Sequence, residues 1–257
     1  LEISANVISA MAPYVSNLQK AAEMATVSTN EIIPSVTASA KAVLGDPQIE
    51  SGVAVIDIGG STTGVAVFEE GDLQYVGVVS MGGINITNDL AIGLKTDPEV
   101  AEKVKLKYAV AVGRADNESV SIEQDKETLS FMTRDIDEIV EARLEEIFES
   151  VNRELKKAGR AGRLPSGVVL VGGTSNIKGI AEFAKKQLGV AARVGKATGF
   201  GGVADDIDKP QYATAVGLML IDAERTAVSK NKQPSKGGGA IKGAGGIFSN
   251  FLKRFKS

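Results

Sequence analysis

Four short segments carry the residue types from which a phosphate- and sugar-binding cleft could be built. The first is Asp57-Ile58-Gly59-Gly60-Ser61-Thr62-Thr63, at the end of the apolar run Val53–Asp57. Glycines let backbone N–H groups approach a phosphate closely, and Ser and Thr hydroxyls add donors. The Asp57 carboxylate would hold Mg2+, usually through water. The same residues would equally make a tight hairpin turn between two strands. No G-x-x-x-x-G-K-[ST] loop occurs, so this is not a P-loop.

The second segment, Val169-Leu170-Val171-Gly172-Gly173-Thr174-Ser175-Asn176-Ile177-Lys178-Gly179-Ile180, repeats the pattern of an apolar strand ending in a double glycine. Ligands of open α/β sheets sit beyond the carboxyl ends of strands, so two such turns are the expected walls of a nucleotide cleft. An ordinary sharp βα turn is the other reading. The third is Glu102 and Lys105, three apart and therefore on one helix face. They could grip a ribose through its hydroxyls, or be a solvated surface pair. The fourth is Gly82-Gly83 before a helix carrying Thr87, Asn88 and Asp89. A helix starting there would present free N–H groups to a phosphate, unless the glycines serve only capping and packing.

Composition removes much other chemistry. The 257 residues include no Cys and no His, which excludes disulfides, thiolate catalysis, imidazole acid–base work and nearly every zinc or copper site. Hydrophobic residues make up 43% and charged residues 24%, as in a globular domain with a sizeable core. No apolar run approaches the length of a membrane-spanning helix, and no secretory signal opens the chain. The chain reads as cytosolic and, starting at Leu1, as cut from a longer protein. The net charge of −3 hides a division. Residues 225–257 hold eight basic side chains and no acidic one, leaving 21 basic and 32 acidic residues in 1–224. An acidic body argues against nucleic acid as a partner, and a basic tail seeks an anionic surface.

Periodicity supplies the elements that must position the four segments. A strand is expected over Leu1–Ala10, with one helix over Tyr14–Ala25 and a second started by Pro34 and running through Ala38–Leu44, stopped by Gly45-Asp46-Pro47. Strands follow at Val53–Asp57, Val65–Phe68 and Leu73–Val79, as a meander. Helices at Asn85–Leu94 and Glu99–Lys107 precede short strands at Val120–Glu123 and Thr128–Met132. A long amphipathic helix covers Arg134–Ala158, then strand Val168–Val171, helix 179–188, strand Ala191–Val194 and helix 211–224. Residues 229–246 read as a flexible linker, with six Gly in 237–246. The last segment, 247–257, is helical again. At about 100° per residue, Ile247, Phe248, Phe251, Leu252 and Phe255 share one face, with Lys253, Arg254 and Lys256 on the other. That is the pattern of a helix lying on anionic lipid.

Taken in order, these segments resemble the superfamily of actin, heat-shock chaperone and sugar-kinase ATPases, and within it the FtsA family of bacterial cell-division proteins. DIGGSTTGVAVF resembles the family's D-I-G-G-G-T-T-D-I-A-V-F, GGINITNDLA its G-G-x-x-x-T-x-D-I-A, AEKVKLKY its A-E-x-x-K-x-K-Y, and VLVGGTSNIKGI its V-L-x-G-G-x-x-x-x-x-G-I. Ala38–Leu44 is similar to its A-S-A-x-A-V-L helix, and the likeness covers roughly 1–225.

The resemblance implies an α/β, actin-like (ribonuclease H-like) lobe, a mixed sheet flanked by helices. Residues 1–10 would end a preceding subdomain, 11–83 and 134–228 would form the lobe, and 84–133 a smaller inserted subdomain. It implies ATP and Mg2+ as ligands, self-assembly into filaments, and attachment of the FtsZ C-terminal peptide, with other divisome proteins as partners. The location implied is the inner face of the cell membrane at the division site. Ser61 stands where the family usually has Gly, and Gly64 where it usually has Asp, which removes a carboxylate near the phosphate edge. The family's first phosphate loop, D-x-G-[ST], would lie in a lobe before Leu1, so this half of a cleft is expected to bind ATP poorly and not to hydrolyse it. Rival readings are an active ATPase or sugar kinase of the superfamily, a PilM-like pilus assembly protein, and an MreB-like cell-shape filament.

Overall fold

The computed structural model describes residues 7–125, 127–200 and 207–231. At its centre is strand β1 (Val53–Ile58), whose VAVIDI run is buried except at the half-buried Asp57. It pairs antiparallel with β2 (Thr63–Glu69), which pairs antiparallel with β3 (Asp72–Val79). On its other edge β1 pairs parallel with β6 (Val168–Val171), and β6 with β7 (Ala192–Val194). The order β3-β2-β1-β6-β7 is thus a mixed sheet.

A continuous apolar strand is what a sheet covered on both faces needs. Alternate side chains of β1 divide between two layers. Val53 and Val55 join Val36, Val43, Ala213 and Val216 under α2 (Ser35–Val43) and α8 (Ala213–Asn231). Ala54, Ile56 and Ile58 face the larger layer made by α4 (Gly83–Gly93), α5 (Pro98–Tyr108), α6 (Thr133–Lys157) and α7 (Ile180–Leu188). The 25-residue α6 forms the spine of that layer, burying Ile136, Val140, Leu144, Ile147, Val151 and Leu155 at helical spacing. Phe148 meets Phe183 of α7 with ring centroids 5.7 Å apart. Between α5 and α6 the chain forms a hairpin, β4 (Ser119–Gln124) with β5 (Glu127–Met132).

The structure differs from the sequence expectation in several places. Gly45-Asp46-Pro47 does stop α2, but it also starts a short helix, α3 (Asp46–Ser51). Pro47 sits in the first turn, where no intrahelical donor is needed, and the Gln48 side chain accepts from Gly45 N–H at 3.3 Å. Helix α8 continues to Asn231, beyond the expected end at 224 and into the expected linker. Leu1–Asn6 lie outside the described residues, and Val7–Ala10 are exposed and form no strand. Helix α1 (Ala12–Met24) follows and buries no residue. The rest of the expected linker and the whole of the expected tail helix, from Ile247 through Lys256, lie outside the described residues.

Candidate functional site

Strand β1 ends at a turn closed by Gly59 N–H donating to Thr62 C=O at 2.9 Å. Two other elements hold this turn. From the start of α4, Gly83 N–H donates to Gly59 C=O at 2.9 Å and Ile84 N–H to Gly60 C=O at 2.7 Å. From the turn after β6, Thr174 Oγ1 donates to Gly59 C=O at 3.0 Å. That turn bends sharply at Gly172, whose φ of +87° and closeness to the Ile58 backbone leave no room for a side chain. Gly173–Asn176 then makes a single 3-10 turn.

These three pieces and α5 enclose a cavity of about 240 Å³. Of the residues expected from sequence, Gly60, Gly83, Glu102, Lys105, Gly173, Thr174, Asn176 and Ile177 line it. Asp57, Gly59, Ser61, Thr62, Thr63, Gly82 and Gly172 do not. Leu106 and Ala109 also line it and were not foreseen. The signal was available: Glu102, Lys105, Leu106 and Ala109 are spaced 0, 3, 4, 7, one face of a helix. A neighbouring cleft of about 530 Å³ continues between α4 and α5, sharing Gly60, Glu102 and Lys105.

Several expected roles change. The first N–H groups of α4 are engaged within the protein. Gly82 N–H donates to Asn85 Oδ1 at 2.9 Å, and those of Gly83 and Ile84 hold the turn as described. This helix start braces the turn instead of offering bare donors to a phosphate. Thr63 is fully buried, and its hydroxyl donates to Met81 C=O at 2.8 Å, so it faces away from the cavity. Ser61 and Thr62 are exposed at the tip of the turn. Gly64 packs on α2, where a Cβ would come within 2.9 Å of Val36 Cβ; Val36 occupies the space that a side chain there would need.

Asp57 sits behind the turn. Its Oδ2 is 3.1 Å from Ser39 Oγ of α2 and 3.2 Å from Thr214 Oγ1 of α8, and those hydroxyls are 2.7 Å apart. Burial pushes its carboxyl above the usual range, and the two hydroxyls only partly counter this. Segment 210–214 is stitched to the same region. Gly172 N–H donates to Pro210 C=O at 3.0 Å, and Asn176 Nδ2 to Gln211 Oε1 at 3.0 Å.

On the opposite wall, Lys105 Nζ lies 2.6 Å from Glu102 Oε2 and 3.1 Å from Gly83 C=O. Desolvation raises the Glu102 carboxyl pKa. The hydrogen bonds from Lys105 and Thr87, with the Lys105 charge, outweigh it and bring the group below the ordinary range. Glu102 is therefore an ionised acceptor at the rim of the cavity. A pocket with one carboxylate, two glycine turns and an apolar α5 face suits a ligand with sugar hydroxyls, a planar apolar part and anionic groups.

Known proteins agree with this architecture. The sequence model described as "Cell division protein FtsA" matches residues 54–217. The chain is 32% identical over 229 residues to the cell division protein FtsA of Pseudomonas aeruginosa, covering 88% of this chain and 55% of that one. It is 33% identical over 263 residues to that of Neisseria meningitidis serogroup B, covering 99% and 62%. The chain thus spans little more than half the length of these curated relatives. Among solved structures, MreB5 of Spiroplasma citri bound to ADP superposes with a TM-score of 0.69 at 16% identity, covering 88% of this chain and 69% of that one. At that identity the likeness concerns the fold, which is actin-like. With the family model matching well over half of its residues, the chain belongs to the FtsA family of cell division proteins.

Proposed function

We propose that this chain supplies one wall of an ATP site in a peripheral membrane adaptor of bacterial cell division. The reading rests above all on the cavity at which the two glycine turns and the Glu102–Lys105 face of α5 converge. ATP would lie with its ribose toward Glu102, its adenine between Gly173-Thr174 and Ile177, and its phosphates toward Gly60. If Mg2+ accompanies the nucleotide, Asp57 would act on it only through water, from behind the turn and outside the cavity lining. Among the described residues no group of three or more acidic side chains is placed to hold a metal ion. Gly64 supplies no carboxylate beside the phosphates.

In this reading 11–83 and 134–228 form the lobe, 84–133 is a smaller inserted subdomain, and 229–246 tethers the tail helix. Filaments would align many tails on the inner face of the membrane. Avidity then turns weak individual attachment into stable attachment. The polymer so held would bind the FtsZ C-terminal peptide and other divisome proteins. Membership of the FtsA family supports the FtsZ part of this reading.

Gly173→Trp tests the site. A Cβ at Gly173 meets nothing within 4 Å, so the indole can enter the cavity without displacing the backbone. Isothermal titration should show weak ATP binding by the parent chain and none by the variant, with unchanged thermal melting. Equal ATP affinity of the two proteins would refute the assignment.

A further inference from the structure

Thr87 lies one turn into α4 and is only 3% exposed, yet its hydroxyl joins two charged groups of the cleft. Its Oγ1 is 2.5 Å from Glu102 Oε2 and 2.8 Å from Lys105 Nζ. Lys105 Nζ in turn lies 2.6 Å from the same Glu102 oxygen, closing a three-membered ring. The protons can be counted. Lys105 has three N–H donors, and Thr87 Oγ1, Glu102 Oε2 and Gly83 C=O receive them. Lys105 donates to Thr87, so the single hydroxyl proton of Thr87 is left to donate. Glu102 Oε2 at 2.5 Å is a nearer and charged acceptor than Gly83 C=O at 3.2 Å.

Two consequences follow. Lys105 has no donor left for a ligand, so it is an internal clamp. The bonds from Lys105 and from Thr87 both converge on Oε2 of Glu102, and among the described residues Oε1 receives no hydrogen bond from the protein. Glu102 nevertheless lines both the cavity and the neighbouring cleft. The oxygen left for a ligand can only accept, and a vicinal diol offers two donors to such a group.

We infer that Thr87 is a positioning residue that fixes Glu102 as an acceptor for the ribose diol, so that the cleft selects ribonucleotides over 2′-deoxyribonucleotides. This inference rests on the nucleotide reading of the cavity. Thr87 touches no ligand; it acts by orienting Glu102.

The test compares ATP with 2′-deoxyATP by isothermal titration of the whole chain, for the parent, Thr87→Val and Thr87→Ser. One hydrogen bond to a partly exposed carboxylate corresponds to roughly a fivefold preference for ATP in the parent. Thr87→Val should bring the ratio close to one by weakening ATP alone, and Thr87→Ser should restore it. A threonine needed only for packing would not give rescue by serine in the sugar ratio. If Thr87→Val does not fold, Thr87→Ala, which places no methyl beneath Lys105, takes its role. A parent that binds both sugars equally, or a Thr87→Val protein that keeps the parent's ratio, overturns the inference and leaves the nucleotide site standing. A parent that binds neither nucleotide overturns the site reading itself.

Discussion

Glycine inside a helix normally weakens it, and replacement by alanine gains about 1 kcal/mol. Gly217 of α8 should do the opposite. A Cβ built there lies 1.7 Å from Ala38 C=O oxygen and 2.4 Å from its carbon, both backbone atoms of α2. Ordinary C···O contact is about 3.3 Å, so α8 would have to withdraw by roughly 1.5 Å. Withdrawal opens the hydroxyl pair between Ser39 and Thr214 and the link from Thr214 to Asp57. Two such bonds, one to a carboxylate, contribute about 2–4 kcal/mol. Loosened contacts around Val216 add about 1 kcal/mol. After subtracting the gain in helix propensity, Gly217→Ala should destabilise the chain by about 2–4 kcal/mol. For a domain of this size that lowers the melting temperature by about 5–12 °C. Calorimetric melting of the two proteins side by side decides by sign. A rise in melting temperature would mean that α2 and α8 do not touch through backbone at Gly217, and the described packing would be wrong.

Further outcomes follow from the same contacts. The folded-state carboxyl of Asp57 titrates above its unfolded value, so ionising it costs stability, and that cost sets in as pH rises from about 3.9 through the raised pKa. Asp57→Asn should therefore gain on the parent in melting temperature across that interval; a constant difference would contradict the burial of the charge. Tyr75 Oη donates to Glu154 Oε2 at 2.5 Å, and desolvation together with that carboxylate pushes the phenol up to about 12. Spectrophotometric titration should show one late tyrosine that Tyr75→Phe removes, and the parent's stability advantage should fade between pH 10 and 12. On the proposed tail helix, Phe251→Glu would put a charge in the middle of the apolar face and should abolish flotation with anionic vesicles, whereas Lys253→Ala should only weaken it and reduce its salt sensitivity. Equal flotation of Phe251→Glu and parent would remove the lipid-anchor reading.

The apolar runs before the double glycines identified β1 and β6 because a strand buried on both faces reads as a continuous apolar stretch, broken in β1 only by the half-buried Asp57. What was not legible was their pairing. Asp57 and Val171 are register partners in adjacent strands, yet nothing local in either segment encodes the other. The helix periodicity of α6 was plain over 25 residues, while α3, with six, had no room to display a period. At the cavity, residue type misled where one chemistry serves two purposes. A threonine hydroxyl suits phosphate, but at Thr63 it is spent on the backbone C=O of Met81. Glycine N–H groups suit phosphate, but at Gly83 they hold the neighbouring turn. The Gly64 departure, read from sequence as a lost carboxylate, has a steric partner in Val36 that only packing reveals.

The mixed pairing of the sheet also sets a timetable for the newly made chain. β1, β2 and β3 are joined by short turns and close small loops, whereas Thr174 must reach Gly59 across 115 residues. At ribosomal rates of about 5–20 residues per second, β6 emerges roughly 5–20 s after β3. During that interval the first glycine turn exists without its opposite wall, and the growing polypeptide is blind to any cleft ligand. A ligand can then stabilise only the last docking event and cannot guide the early ones. Pulse-labelled hydrogen exchange during refolding should protect β2 and β3 amides before those of β6, and simultaneous protection would show that the sheet forms in one step.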